Sequence, residues 1–86
     1  MEIFIPASHS LKEKRQVIRR IKDKLKNGYN VSFSEIDYHD KWQRAEFGFV
    51  TIAKNRITVD KRLDRIQRMI EQDDRIQVIN IQREYL

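Results

Sequence analysis

Residues 10–36 read SLKEKRQVIRRIKDKLKNGYNVSFSEI, and this stretch holds one complete helix and the strand that follows it. The helix begins with a capping box at Ser10–Glu13, in which the serine hydroxyl and the glutamate carboxylate each satisfy a free backbone N–H. Apolar residues then recur at helical spacing as far as Leu25. Asn27-Gly28 is typical of a left-handed helix stop. Residues 29–37 alternate apolar with polar side chains, which predicts a strand with one solvated face.

The flanking sequence completes a β-α-β-β-α-β order. Strands are predicted at residues 2–5, 29–37, 42–53 and 75–84, with a turn at 37–41 between the second and third. The helix that begins at Ser10 follows the first strand, and a second helix begins at about residue 58. This is the split order of ferredoxin-like domains. Right-handed crossovers then predict a four-stranded antiparallel sheet with both helices on one face and the other face open. We therefore expect an α+β fold in a single domain, residues 1–86.

Composition limits the classes of function. The 86 residues suffice for one domain. Cysteine is absent, which excludes disulfides, thiolate metal sites and a thiol nucleophile. The N-terminal residues lack the pattern of a secretory signal, and no apolar run is long enough to span a bilayer. We expect a cytoplasmic protein with no membrane partner and no cofactor.

Positive charge is concentrated in the first helix. The chain has a net charge of +5. Between Ser10 and Asn27 there are eight basic and two acidic residues, a net charge of +6, so the rest of the chain sums to −1. A run of unopposed cations repels itself, and phosphate is the obvious compensating partner, although an acidic protein surface or plain solvation would also serve. The predicted phosphate contacts are Lys12, Lys14, Arg15, Arg19 and Lys22, with Trp42 and Arg44 as base or sugar contacts.

Aromatic residues on the first and third strands raise a second hypothesis. Phe47-Gly48-Phe49-Val50 partly matches the third strand of RNA-recognition motifs, which stack bases on aromatic side chains, and Phe4 falls at the aromatic position of their first strand. Phe4, Phe47 and Phe49 are therefore candidates for a stacking or interface face. The alternative, which we favour, is packing in the core or in a homodimer seam. A homodimer through the open sheet face, without nucleic acid, is the second function considered.

A polar cluster in the hairpin gives a third hypothesis. Glu35, Asp37 and His39 fit a metal-dependent hydrolase, because carboxylates and imidazole supply ligands and acid–base groups. Their spacing matches no defined ligand pattern, and a cross-strand ion pair of Arg44 with Glu35 or Asp37 is the simpler interpretation. We find no catalytic motif and assign no catalytic or metal-binding residue. A binding protein is therefore expected rather than an enzyme.

Two stretches resemble a known family. Residues 9–15, HSLKEKR, and residues 30–45, with NVS, Glu35, Asp37 and WQRA, resemble the YlxP-like family of bacterial proteins, known as domain of unknown function 503. The resemblance covers essentially the whole chain and implies a ferredoxin-like fold. It also implies a functional association with translation, since genes of this family often lie beside those of initiation factor two and ribosome-binding factor A. No catalytic residues carry over, and relatives often have aliphatic residues where Phe47 and Phe49 stand. The sequence thus favours an RNA- or ribosome-associated accessory protein, with ribosomal or other structured RNA as its partner.

Overall fold

A computed structural model describes residues 1–86 and confirms the predicted β-α-β-β-α-β order. The elements are β1 (Glu2–Phe4), α1 (Leu11–Gly28), β2 (Ser32–Asp37), β3 (Arg44–Val50), α2 (Arg56–Glu71) and β4 (Gln77–Asn80). All four strands are shorter than predicted, β3 and β4 by the most. α2 begins earlier than predicted because Asn55 caps it, its Oδ1 accepting from Thr58 N at 2.9 Å. No helix is long and apolar enough to cross a membrane.

The four strands form one antiparallel sheet in the order β2-β3-β1-β4. β1 lies between β3 and β4, with Ile3 opposite Ala45 on one side and Val78 on the other. This topology confirms the α+β ferredoxin-like fold. The connections from β1 to α1 and from β2 to β3 lie at the same end of the sheet, and this end carries the site described below.

The capping box at the start of α1 is present in a slightly different form. Ser10 Oγ accepts from Glu13 N at 3.1 Å, as predicted. The Glu13 carboxylate accepts from His9 N at 2.6 Å, one residue before the cap. The predicted left-handed stop at Asn27-Gly28 is wrong: Gly28 is the last helical residue, and no glycine has a positive φ. The extended Tyr29 ends the helix instead, with its N–H donating to Leu25 O.

One hydrophobic core joins the inner face of the sheet to both helices. Its buried residues are Ile3, Ile5, Val17, Ile18, Ile21, Leu25, Ala45, Phe47, Ile66, Ile70 and Ile76. Phe47 is only 1% exposed, and Phe49 packs against the same cluster with its ring centroid 6.1 Å from that of Phe47. Phe4 alternates with the buried Ile3 and Ile5 and so faces the other way. The three phenylalanines therefore do not lie on one face of the sheet. Phe47 is part of the core.

Candidate nucleic-acid interface

The exposed side of α1 carries a dense group of cations without carboxylate partners. The opposite side of the helix is buried and consists of Val17, Ile18, Ile21 and Leu25. None of the ion pairs in the structure involves the six exposed basic residues of α1. These residues, hereafter the cationic face, are Lys12, Arg19, Arg20, Lys22, Lys24 and Lys26. The cationic face includes three of the five predicted phosphate contacts.

Lys14, another predicted phosphate contact, does not belong to the cationic face. Its side chain is fully buried. Its Nζ donates to Tyr38 O at 2.6 Å and lies 3.4 Å from Glu35 Oε2. Lys14 is four, seven and eleven residues before Ile18, Ile21 and Leu25, so it shares their side of the helix. The assignment of Lys14 to phosphate binding is therefore wrong.

Arg15, the remaining predicted contact, is held by the hairpin between β2 and β3. Its Nη1 donates to Glu35 Oε1 at 2.6 Å and its Nη2 donates to His39 O at 3.2 Å. The side chain is still 41% exposed. Arg15 therefore connects the cationic face to the hairpin turn, with part of its guanidinium accessible to solvent.

Glu35 is the carboxylate that pairs with both Lys14 and Arg15. It lies opposite Phe47 on the helix-facing side of the sheet, and its side chain is only 6% exposed. A bulge between Glu35 and Asp37 shifts the register of pairing with β3. The two carboxylates therefore do not lie side by side on one face of the sheet. The predicted pairing of Arg44 with either of them is wrong, because Arg44 Nη2 donates to Glu2 Oε1 at 2.7 Å.

Burial and charge act in opposite directions on this cluster. Burial lowers the pKa of Lys14, and the adjacent Glu35 offsets this only in part. Burial alone would raise the pKa of Glu35, but the Arg15 hydrogen bond and the Lys14 charge outweigh it, so that pKa is lowered. Ionised Glu35 therefore stabilises the fold above the ordinary glutamate pKa of about 4.3. That contribution is lost as the pH falls through the lower folded-state pKa.

The hairpin turn adopts a constrained backbone where α1 holds it. Tyr38 has a φ of 63°, in the left-handed region that non-glycine residues rarely occupy. Its carbonyl accepts from Lys14 and also from Lys41 N at 3.1 Å. Since the neighbouring His39 carbonyl accepts from Arg15, two consecutive carbonyls of the turn are bound by consecutive residues of α1. The position of the turn is thus fixed relative to the helix.

A cavity of about 490 Å³ lies between this turn and the β1–α1 connection. Its lining includes Phe4, His9, Lys41, Trp42, Gln43 and Arg44. Trp42 is 56% exposed. The Arg44 guanidinium lies 4.4 Å from the centroid of the Tyr38 ring. The structure therefore brings the predicted contacts Trp42 and Arg44 together with Phe4 at the mouth of one cavity.

The three residues of the hydrolase hypothesis do not converge. The Asp37 carboxylate accepts from Tyr38 N at 2.7 Å, and His39 Nε2 lies 3.2 Å from the backbone oxygen of Glu35. The Glu35 carboxylate is turned towards α1. No group of three or more His, Asp or Glu side chains is placed to hold a metal ion. The geometry therefore gives this hypothesis no support.

Sequence reasoning missed two parts of the site. The first is the buried pair of Lys14 and Glu35 with Arg15 beside it; the signal for it was that Lys14 falls at a position where the helical spacing places apolar residues. The second is the contribution of Gln43, whose Nε2 donates to Pro6 O at 3.0 Å and Ser8 O at 3.3 Å. A side-chain amide that binds backbone carbonyls leaves no pattern in a single sequence.

The fold and the site together define a small ferredoxin-like domain with a cationic helix and an aromatic-lined cavity. A family model described as "Protein of unknown function (DUF503)" matches residues 1–83. The chain is also 43% identical over 70 residues to the "Uncharacterized protein YlxP" of Bacillus subtilis (strain 168), covering 81% of this chain and 76% of that protein. The chain therefore belongs to the DUF503 family.

Proposed function

We propose that this protein binds RNA through phosphate contacts made by the cationic face of α1, as an accessory factor associated with ribosomal or other structured RNA. The observation that carries the proposal is the set of six exposed cations on one helix with no carboxylate partner in the chain. Lysine and arginine that neutralise phosphates release condensed counterions, and this release favours binding strongly at low salt.

The cations of α2 differ from those of the cationic face, because most of them have partners within the chain. Arg56 pairs with Asp60, Arg62 donates to Thr51 Oγ1 and Ile52 O, and Arg65 lies over the Tyr29 ring. Three of the five cations of the second helix therefore have partners within the chain, whereas the six residues of the cationic face have none. Arg19, Lys22 and Lys26 follow the spacing i, i+3 and i+7, so they form one stripe along the helix. A stripe of this kind suits the repeated charges of a phosphodiester backbone.

The expected behaviour is a binding constant for RNA that falls steeply with salt. Replacing Arg19, Lys22 and Lys26 together by glutamine should weaken binding more than tenfold near 0.1 M salt. It should also reduce the slope of log K against log salt by roughly 2–3, because each lost phosphate contact removes about 0.7–0.9. Fluorescence anisotropy with a labelled ribosomal RNA fragment, titrated across salt, measures both quantities.

The matched control removes the same charge elsewhere. Lys54, Lys61 and Arg68 are exposed and take part in no ion pair or side-chain hydrogen bond, and all three lie outside α1. Their replacement by glutamine should reduce the salt slope much less. Equal losses for the two triple variants would show that net charge alone attracts the RNA and would refute the assignment to α1.

A homodimer through the open sheet face is a second candidate, favoured by exposed aliphatic residues. Ile36 is 55% exposed and Val50 is 73% exposed, and both lie on the face away from the helices. Between them is Gly48, where an added Cβ would lie 3.4 Å from the Ile36 side chain. We expect sedimentation velocity to show a dimer in the micromolar range and Val50→Asp to shift it to monomer. A monomer at about 100 µM would exclude a stable dimer of this kind.

A further inference from the structure

We propose that the cavity beside the hairpin turn binds one unpaired base of a single-stranded segment, with the base stacked on Trp42. This inference rests on the proposed function and makes its ligand more specific, since a base paired and stacked within a duplex is not free to enter the cavity. The proposal depends on four observations: the size of the cavity, the rigidity of its walls, the exposed aromatic side chain and the adjoining positive charge.

The cavity has the dimensions of a ligand site. Its volume of about 490 Å³ lies within the roughly 300–1,000 Å³ typical of small-molecule pockets. It is open at the surface, so a base can enter while its sugar and phosphates remain in solvent. The volume is therefore ample for one base.

The walls of the cavity are held before any ligand arrives. Gln43 ties the hairpin to the β1–α1 connection through the carbonyls of Pro6 and Ser8, and Gln43 O accepts from Ile5 N at 2.7 Å. Ser8 is 3% exposed and its hydroxyl donates to Ser10 O at 3.1 Å. Both walls therefore have fixed backbones, which reduces the entropy lost when a ligand binds.

Trp42 supplies a stacking surface that the fold does not use. More than half of the side chain is exposed, and it belongs neither to the core nor to the hydrophobic residues packed against it. Phe4 is half-buried in the same cavity lining. Base–aromatic stacking needs only an accessible ring face, and it tolerates every base because each has a π-face. The indole therefore fits a base without requiring a particular sequence.

Positive charge is placed to receive the phosphates that flank such a base. Lys41 and Arg44 line the cavity; Lys41 takes part in no ion pair, whereas Arg44 is paired with Glu2. Asp40 is the one carboxylate in the lining. Arg15 bridges from the helix to His39, which directly precedes Asp40 and Lys41 of the cavity lining, so the turn beside the cavity is held against the helix that carries the cationic face. In the proposed complex, a strand bound along α1 continues past this turn and places an unpaired base against Trp42.

The test uses Trp42 itself as the probe, because it is the only tryptophan in the chain. Titration with a single-stranded oligoribonucleotide should quench its fluorescence saturably, whereas a blunt RNA duplex should bind with little quenching. Anisotropy of a labelled single strand should show Trp42→Ala binding roughly 5- to 150-fold more weakly, and Trp42→Phe should recover most of the loss. Duplex binding should be unchanged in both variants. Ile57→Ala, which truncates a side chain 68% exposed on α2, is the matched control.

The outcomes separate this inference from the proposed function. Equal affinity for single strand and duplex, with no quenching and no effect of Trp42→Ala, would overturn the base site and leave the phosphate-binding proposal standing. Binding of neither RNA would overturn both. Quenching by the single strand that persists when an abasic oligomer of the same length is used would also overturn the base site, because no base is then present to stack.

Discussion

Replacing Phe47 by alanine is expected to lower the free energy of unfolding by about 3–5 kcal/mol. Phe47 is 1% exposed, and its neighbours in the core come from the sheet and from both helices, so truncation leaves a cavity that the surrounding structure fills only in part. A domain of this size has a total stability of roughly 4–13 kcal/mol. The variant should therefore lose a large share of its stability. Urea unfolding followed by far-ultraviolet circular dichroism measures the change.

Trp42→Ala is the control for this prediction. Its side chain is 56% exposed, and its removal should change the stability by no more than about 0.5 kcal/mol. If Phe47→Ala does not fold, Phe47→Leu removes less volume and should show a smaller loss in the same direction. A stability for Phe47→Ala within experimental error of the wild type would contradict the core assignment and reopen the stacking face predicted for Phe4, Phe47 and Phe49.

Lys14→Ala is expected to destabilise the protein by about 3 kcal/mol. The substitution leaves Glu35 Oε2 buried without its ion pair and removes the donor to Tyr38 O. The value is at the lower end of the range for a broken buried pair, because Arg15 continues to bind Glu35 Oε1. Chemical denaturation monitored by circular dichroism again provides the measurement.

Two further variants distinguish an ion-pair effect from a loss of helix packing. Lys12→Ala, on the exposed side of the same helix, should remain within about 0.5 kcal/mol of the wild type. Lys14→Met combined with Glu35→Leu replaces both charges by apolar groups and should recover much of the loss. A Lys14→Ala variant as stable as Lys12→Ala would show that the buried cluster contributes nothing net.

The order of the elements could be predicted because each has its own local signal, but strand ends depend on partners. β3 was predicted to reach residue 53, and it ends at Val50 because Val50 pairs with Ser32, the first residue of β2. Beyond Val50, the carbonyl of Ile52 accepts a hydrogen bond from Arg62 rather than from a neighbouring strand. The Thr51 hydroxyl also accepts from Arg62. β4 ends at Asn80 for the same reason, since its partner is Glu2, the first residue of β1.

The candidate site was predictable only in part. A count of charges located the cations of α1, but the count ignored the helical position of Lys14 and so placed a buried residue on the surface. The bulge after Glu35 has no signal in a single sequence. Because it interrupts the alternation of side chains, Glu35 faces α1 whereas Asp37 does not. Period-two alternation could not orient β3, because Val50 and Ile52 are as apolar as Phe47 and Phe49.

The attachment of the hairpin turn to α1 also has a mechanical consequence. Two consecutive turn carbonyls are bound by two consecutive helix side chains, so helix and turn behave as one rigid body. A ligand that touches both meets a template of fixed dimensions. For the RNA partner proposed above, the protein would lose little conformational entropy on binding, and affinity would depend on how readily each RNA bends to the shape that the protein presents.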